Sequence, residues 1–351
     1  MTVFPHDPPQ DLARWGLHCF CLHARRTPQG VVRMDGNGRL LWLARAGAAR
    51  DALPGSDSQL TLLEAFGLIA RRGDRWHSTM PMVLATPLRD RLPGLAAPLL
   101  PGLVAARGAI ADVLAPQGLA GHAPAVVFGH LLDGWFWDVL RARGLLPPDA
   151  LDLAHPFWRG AVWAVWPPAA GSAGLNMVQG GQAALCMVWA DATIADLRRL
   201  AADPATLAVL DHPPPGPLVQ LPGGPAPMIR PGDPLDRLAR QAAGALADAA
   251  LPVLDDLAPL LPPGIAPDTA RVILGHELIW HLAARLLPAP IPAAQAAFLR
   301  LDRGFQAPRA VLGQAPQREG HGARPEPSFQ RAPWPSNAPC RSSNPMRPAA
   351  T

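Results

Sequence analysis

Residues 58–81 read SQLTLLEAFGLIARRGDRWHSTMP, and they carry a helix signal followed by a ribbon signal. Ser58 is a residue type that caps helix N-termini, apolar residues recur at helical spacing from 60 to 66, and Gly67 is a helix terminator. Two short runs then flank Gly73 and Asp74, a pair that favours a tight hairpin turn. The stretch therefore predicts a helix followed by a two-stranded ribbon.

The predicted ribbon is basic, with Arg71, Arg72, Arg75 and His77 close together. Arginine suits phosphate because its guanidinium is planar and permanently charged. This helix and ribbon resemble the end of a winged helix-turn-helix domain. The resemblance implies that the helix lies in the DNA major groove and that these four side chains contact phosphates. Winged helices also mediate protein–protein contacts, so the class of partner stays open.

Two residue types are missing from the 351-residue chain, lysine and tyrosine. Without lysine there is no Schiff-base or pyridoxal-phosphate chemistry, no Walker A loop and no Ser-x-x-Lys acyl enzyme. Without tyrosine there is no phenolic general acid. The bias towards arginine, alanine, proline and glycine indicates a GC-rich bacterial gene. It leaves arginine as the residue for every phosphate contact that lysine would otherwise make.

The distribution of charge predicts the class of partner, and the cysteines and the first ten residues predict the cellular location of the protein. Residues 1–100 contain 12 arginines against 8 acids, whereas residues 101–300 contain 12 against 16. The basic first third therefore favours an anionic partner. The four cysteines do not have the spacing of a disulfide framework, and the first ten residues do not have the pattern of a signal peptide. Glycines and prolines interrupt the uncharged stretch 160–190, so it does not have the pattern of a membrane span. We expect a cytoplasmic protein with no membrane span.

The remaining elements predict an α+β chain with three parts. Residues 1–92 form a small winged-helix-like domain, in which VVRMDGNGRLLWL at 31–43 predicts a β-hairpin. Residues 93–305 form a larger mixed domain with a central apolar hairpin, made of two buried strands at 160–166 and 183–189. Residues 306–351 are rich in proline and arginine and predict a disordered tail.

Six tryptophans between 135 and 189 mark the middle domain. At strand and helix spacing most of them are expected in the core, although aromatic walls also suit a flat small-molecule pocket. The same domain contains an internal echo. Val-x-x-Gly-His ends at His130 and again at His276, and a tryptophan follows each time, at Trp135 and Trp280.

Three sets of residues suggest metal or acid–base chemistry. His276-Glu277-Leu278-Ile279-Trp280-His281 resembles the His-Glu-x-x-x-His motif of dipeptidyl peptidase III, which implies zinc, but the downstream acidic ligands of that family are missing. His18, Cys19, Cys21 and His23 alternate on a predicted strand without a second cysteine pair. If the echo helices pack together, His130 and Asp133 face His276 and Glu277.

These observations support a ranked set of functions. The leading interpretation is a cytoplasmic binding or regulatory protein without catalysis, metal or cofactor, which contacts duplex DNA through the N-terminal domain and senses a ligand or dimerises through the middle domain. The alternatives are a metal-dependent hydrolase that uses His276, Glu277 and His130, and a purely structural interaction protein.

Overall fold

The computed structural model describes residues 7–21, 27–147, 157–169, 173–287 and 290–301. It is an α+β structure, as predicted. Its α-helices are α1 (Pro28–Arg33), α2 (Asn37–Leu43), α3 (Asp57–Ala65), α4 (Ala85–Ala96), α5 (Leu100–Leu114), α6 (Ala123–Val126), α7 (Phe136–Ala142), α8 (Ile194–Ala202), α9 (Pro204–Asp211), α10 (Pro234–Leu257) and α11 (Pro267–Leu286). A π-helix, Val127–Trp135, joins α6 to α7.

Eleven strands form three sheets within the described residues. The strands are β1 (Gly16–Cys21), β2 (Ala48–Ala49), β3 (Ile69–Arg72), β4 (Arg75–Ser78), β5 (Met82–Leu84), β6 (Phe157–Trp166), β7 (Ala173–Gln179), β8 (Ala183–Ala190), β9 (Leu218–Leu221), β10 (Gly224–Ile229) and β11 (Ala297–Leu301). The strand orders are β1-β6-β5, β2-β4-β3 and β7-β8-β11-β10-β9.

The hairpin predicted at residues 31–43 is wrong, because this segment forms α1 and α2. Thr27 caps α1 through its side chain, and Pro28 occupies the first turn, where its missing N–H costs nothing. The turn signal was real, since Asp35 and Gly36 both have positive φ. It links two helices instead of two strands, because a left-handed turn serves both kinds of connection.

The helix and ribbon predicted at 58–81 are present as α3, β3 and β4. Ser58 does not cap the helix, which begins earlier with Ser56 as the N-cap. The Ser56 hydroxyl accepts from the backbone N–H of Gln59, and Gln59 accepts from the backbone N–H of Ser56. This capping box satisfies two donors that the first helical turn leaves free.

The two apolar strands predicted at 160–166 and 183–189 exist as β6 and β8, but they do not form a hairpin with each other. The partner of β8 is β7, in antiparallel register from Ala173↔Ala190 to Gln179↔Ala184. The β7 signal was weak because this strand lies at a sheet edge and is largely exposed. The predicted disordered tail at 306–351 lies outside the described residues.

Strand β6 lies between two hydrophobic clusters. Val162 and Ala164 pack into a small cluster built from residues 12–80, whereas Ala161, Trp163 and Val165 pack into the large cluster of the remaining elements. Successive strand residues point to opposite faces, so one strand contributes to both clusters. The domain division at residue 92 stays a prediction.

The longest apolar helical run is Ala85–Gln117, which spans α4 and α5. It is long and apolar enough to cross a membrane, and 22% of its most apolar window is buried. A single such run is weak evidence for a membrane span, because core helices of soluble proteins pass the same criteria.

We expect Ser56→Ala to lower the free energy of unfolding by about 1 kcal/mol, because it removes the side-chain acceptor at the start of α3. The matched control is Ser58→Ala, an exposed position in the first turn of the same helix, which should be nearly neutral because alanine is the better helix former. Urea unfolding followed by tryptophan fluorescence measures both. Equal losses in the two variants would contradict the capping role of Ser56.

Candidate functional site

The basic ribbon has two unlike faces. Arg72 pairs with Arg75 across the β3–β4 ladder, and Ala70 pairs with His77, so these side chains share the outer face. Arg71 lies opposite Trp76 on the other face, where Ile69 and Trp76 contribute to the small hydrophobic cluster. All three arginines are exposed. The structure therefore groups Arg72, Arg75 and His77 and separates Arg71 from them.

The outer face of the ribbon is fixed to the segment before β2. The guanidinium of Arg75 donates to the carbonyl of Gly47 through Nε (3.3 Å) and Nη2 (3.0 Å). A Cβ at Gly47 would lie 2.5 Å from Cε1 of His77, so the imidazole packs directly on this glycine. Like charges directly opposite on a ladder repel each other. An anion between Arg72 and Arg75 would relieve that repulsion.

The exposed face of α3 has a different charge. Its exposed positions are Asp57, Ser58, Thr61, Glu64 and Ala65, and the helix contains no arginine or histidine. Asp57 forms an ion pair with Arg50 (Nη2–Oδ1 2.8 Å), which offsets its charge. Glu64 has no basic neighbour on the helix and opposes close approach to phosphates. Phosphate contact is therefore favoured at the ribbon and disfavoured along this helix.

A second group of titratable residues joins β1 to α11. The ring of His18 stacks on Trp163, its partner in the β1–β6 register, with centroids 5.4 Å apart. His276 meets both rings edge-on, with its centroid 4.7 Å from His18 and 5.0 Å from Trp163. The sequence placed His18 and His276 in separate candidate sets, and the structure brings them together.

The hydrogen bonds of His276 fix its tautomer. The indole Nε1 of Trp280 donates to Nε2 of His276 at 2.9 Å, and an indole N–H cannot accept. Nε2 must therefore carry the lone pair, and the proton lies on Nδ1, which is 3.3 Å from Oε1 of Glu277. In this conformation both ring nitrogens of His276 have a hydrogen-bond partner, so neither is open to a metal ion.

Burial and neighbouring charges shift the pKa values in this cluster. Burial lowers the pKa of His18 to about 3, with His276 and Arg89 adding to the decrease and Glu277 opposing it. Burial by itself would raise the pKa of Glu277, but the hydrogen bond from His276 and electrostatic interaction with His276, His18 and Arg89 lower it overall. The expected state is a neutral His18 beside an ionised Glu277.

Asp133 is a further carboxyl that His276 influences. Burial raises the pKa of Asp133 to about 6, although a 3.0 Å hydrogen bond from Trp137 and electrostatic interaction with His276 oppose the increase. A group with some solvent contact and a pKa near neutrality is suited to proton exchange. It lies among side chains of ordinary core type, so the shift alone does not identify a reaction.

The predicted meeting of His130 and Asp133 with His276 and Glu277 is only partly right. His130 contacts Asp236 instead, with Nε2 3.2 Å from Oδ1, and both side chains are buried. The physical reason is the π-helix. Residues three apart lie roughly 60° apart on an α-helix, and the wider π-helix separates them further. His130 thus points towards the start of α10, whereas Asp133 points towards His276.

Asp236 links this second histidine to the N-terminus of α10. Its Oδ1 also accepts from Trp135 Nε1 at 2.9 Å, and its Oδ2 accepts from the backbone N–H of Gly232 at 2.6 Å. Burial lowers the pKa of His130 in spite of the opposing hydrogen bond to Asp236. The arrangement satisfies a buried carboxylate with several donors, which is the ordinary requirement for such a group.

The described residues contain no group of three or more His, Cys, Asp or Glu side chains that could hold a metal ion. His281 belongs to the next turn of α11, where burial and Arg285 lower its pKa. Of the alternating set on β1, Cys19 is partly buried, whereas the Cys21 side chain and His23 lie outside the described part of the chain. The set on α11 is therefore not assembled within the described residues, and the set on β1 is described only in part.

The tryptophans of the middle domain pack in the hydrophobic clusters. Trp137, Trp163 and Trp189 are buried in the large cluster, Trp135 is partly buried against it, and Trp166 packs against the small cluster. The sixth, Trp158, lies outside the described side chains. The sequence indicated both His18 and His276 as candidates but did not predict their contact, because that contact requires β1 to pair with β6.

Comparison of the chain with protein-family models, curated proteins and solved structures finds no match. The functional argument therefore depends on the geometry of the chain alone.

We expect Asp133→Asn to change how stability depends on pH. The pKa of Asp133 in the folded chain, about 6, lies above its ordinary value of 3.8, so the folded state binds more protons than the unfolded state between these values. The Asp133 contribution to the free energy of unfolding therefore falls as pH rises from 4 to 6. Relative to wild type, the variant should gain about 1–3 kcal/mol of stability over this range.

Urea unfolding at pH 4, 5, 6 and 7 measures this difference. Asparagine keeps an acceptor for Trp137, so the loss of charge is separated from the loss of the hydrogen bond. Asp138→Asn is the matched control, since Asp138 is an exposed carboxylate in the next helix and should show no such trend. A stability difference that stays constant with pH would refute the assignment for Asp133.

Proposed function

We propose that the chain is a cytoplasmic binding protein of regulatory type, whose N-terminal unit contacts the phosphate backbone of duplex DNA. The observation that carries the proposal is the shared outer face of Arg72, Arg75 and His77. The exposed cross-strand arginine pair has no carboxylate opposite it on the ladder, and Arg75 is held in place by Gly47. A fixed guanidinium loses little freedom when it binds an anion.

The helices that precede the ribbon add support. A winged-helix unit needs helices on the N-terminal side of its ribbon, and α1, α2 and α3 occupy that part of the chain. The short strand β2 pairs with β4, so the ribbon is one part of a three-stranded sheet. The unit thus presents the ribbon on a packed support, as the resemblance implies.

The acidic face of α3 limits the kind of contact. Glu64 would lie against phosphates if this helix entered a groove, whereas the charge of Asp57 is offset by Arg50. We therefore propose backbone contact through the ribbon, with little reading of base sequence. Such binding depends strongly on salt and weakly on sequence.

The alternative of a metal-dependent hydrolase at His276 and Glu277 has less support. Trp280 and Glu277 occupy both ring nitrogens of His276. The described residues supply no third ligand. A pure interaction protein remains the other alternative, in which the ribbon would meet an acidic protein surface.

The test measures binding of fluorescent duplex DNA of mixed sequence by anisotropy at several salt concentrations. Wild type should bind with an affinity that falls linearly with salt on logarithmic axes. Arg72→Ala/Arg75→Ala should weaken binding and reduce the magnitude of the slope by about 1–2, because each lost phosphate contact removes nearly one released counterion.

Arg72→Ala and Arg71→Ala form a matched pair of single variants, because each removes one charge, from opposite faces of the same ribbon. Arg71→Ala should change the slope by less than Arg72→Ala does. Equal effects of Arg71→Ala and Arg72→Ala would refute the oriented contact. If wild type shows no salt-dependent binding of duplex DNA, the proposal is wrong.

A further inference from the structure

A cavity of about 300 Å³ lies where α5, β10 and α10 meet. It is bounded by the end of the helical run Ala85–Gln117, the loop at 215–217, the end of β10 and the first turn of α10. Its volume is at the lower end of the range for small-molecule sites, about 300–1,000 Å³. The lining residues that matter for recognition are Val113, Gln117, Met228, Arg230, Asp233 and Leu235.

Arg230 gives the cavity a fixed cation. Its Nη2 donates to the carbonyls of Pro214 (2.6 Å) and Gly216 (3.4 Å), which holds the guanidinium against the loop. Within the described residues, Nε and Nη1 of Arg230 have no hydrogen-bond partner. The side chain is only partly exposed, so these N–H groups lie in a sheltered place. A carboxylate bound there would receive charge-assisted hydrogen bonds.

The carboxylate of Asp233 does not neutralise these groups directly. Its Oδ2 accepts from the backbone N–H of Arg230 and its Oδ1 from the backbone N–H of Asp236, both at 2.8 Å. Asp233 is the N-cap of α10, so its charge faces the positive end of a 24-residue helix. The guanidinium of Arg230 can therefore donate hydrogen bonds to an anionic ligand.

Gln117 provides a polar group on the α5 side of the same cavity. Its Oε1 is shielded from solvent and has no hydrogen-bond partner in the described part of the chain. A buried acceptor without a donor costs about 1–3 kcal/mol, so a ligand N–H or O–H here would recover that loss. Val113, Met228 and Leu235 supply apolar wall between the two polar groups.

We propose that this cavity binds a small organic carboxylate with an apolar body, whose carboxylate contacts Arg230 and whose apolar part lies against Val113 and Leu235. Ligands that also carry a donor would contact Gln117. No tryptophan lines this cavity within the described residues, whereas the sequence placed a possible ligand among the tryptophans of the middle domain. The proposal does not depend on DNA binding by the ribbon.

The experiment uses the full chain and titrates phenylacetate, with 2-phenylacetamide as the uncharged probe of the same shape. Isothermal titration calorimetry gives the dissociation constants. We expect saturable binding of phenylacetate at one site per chain and at least tenfold weaker binding of the amide, because only the carboxylate makes charge-assisted bonds to Arg230.

Two variants separate the site from unspecific binding. Arg230→Gln should remove the preference for the carboxylate, so that both probes bind with similar weak affinity. Val113→Trp leaves Arg230 in place but fills the cavity, so it should abolish binding of both probes. Arg237→Gln is the matched control, since Arg237 is an exposed arginine of α10 that does not line the cavity, and the change should leave both constants unchanged. Circular dichroism confirms that each variant is folded.

Three results would overturn the proposal. The first is no saturable binding of either probe to folded wild type. The second is equal affinity for the carboxylate and the amide. The third is phenylacetate binding that persists in a folded Val113→Trp variant.

Discussion

The rest of the structure depends on β6 being buried on both faces. Its odd-numbered residues from 161 to 165 pack in the large hydrophobic cluster, and its even-numbered residues pack in the cluster of the N-terminal unit. A strand alternates its side chains between two faces, so a shift of one residue in register would exchange the two sets. The run of apolar residues in β6 has no polar face to present to water. Both the N-terminal unit and the helical part must therefore cover it.

The His276 cluster is a consequence of that burial. Pairing of β1 with β6 places His18 opposite Trp163, and Leu17 and Cys19, the neighbours of His18 on β1, turn towards the small cluster. His18 therefore faces α11, where it meets His276. A polar atom buried between β1 and α11 needs a hydrogen-bond partner, because burial without one is unfavourable in free energy. Trp280 and Glu277 provide partners for His276, which explains a buried polar group without assigning it a reaction.

Local signals in the sequence predicted several elements but not their pairing. The helix and ribbon at 58–81 and the buried strands at 160–166 and 183–189 follow from apolar spacing and from glycine and proline positions. The pairing of β8 with β7 did not, because β7 carries glycine and polar residues at an exposed edge. At residues 31–43 a real left-handed turn joins two helices, and turn residues alone do not identify the elements on either side. The meeting of His18 with His276 depends on pairing between distant segments, which no local pattern encodes.

The two segments of the internal echo differ in the spacing between histidine and tryptophan. In α11 the tryptophan follows the histidine by four residues, at the spacing of one α-helical turn, and Trp280 donates to His276. From His130 to Trp135 the spacing is five, which matches the i→i+5 bonding of the π-helix found there. His130 and Trp135 still meet at a common partner, since both contact Asp236. The wider turn of the π-helix also separates Asp133 from His130 around the helix axis, which leaves Asp133 within the electrostatic influence of His276. In each segment the spacing of histidine and tryptophan therefore matches the type of helix that contains them.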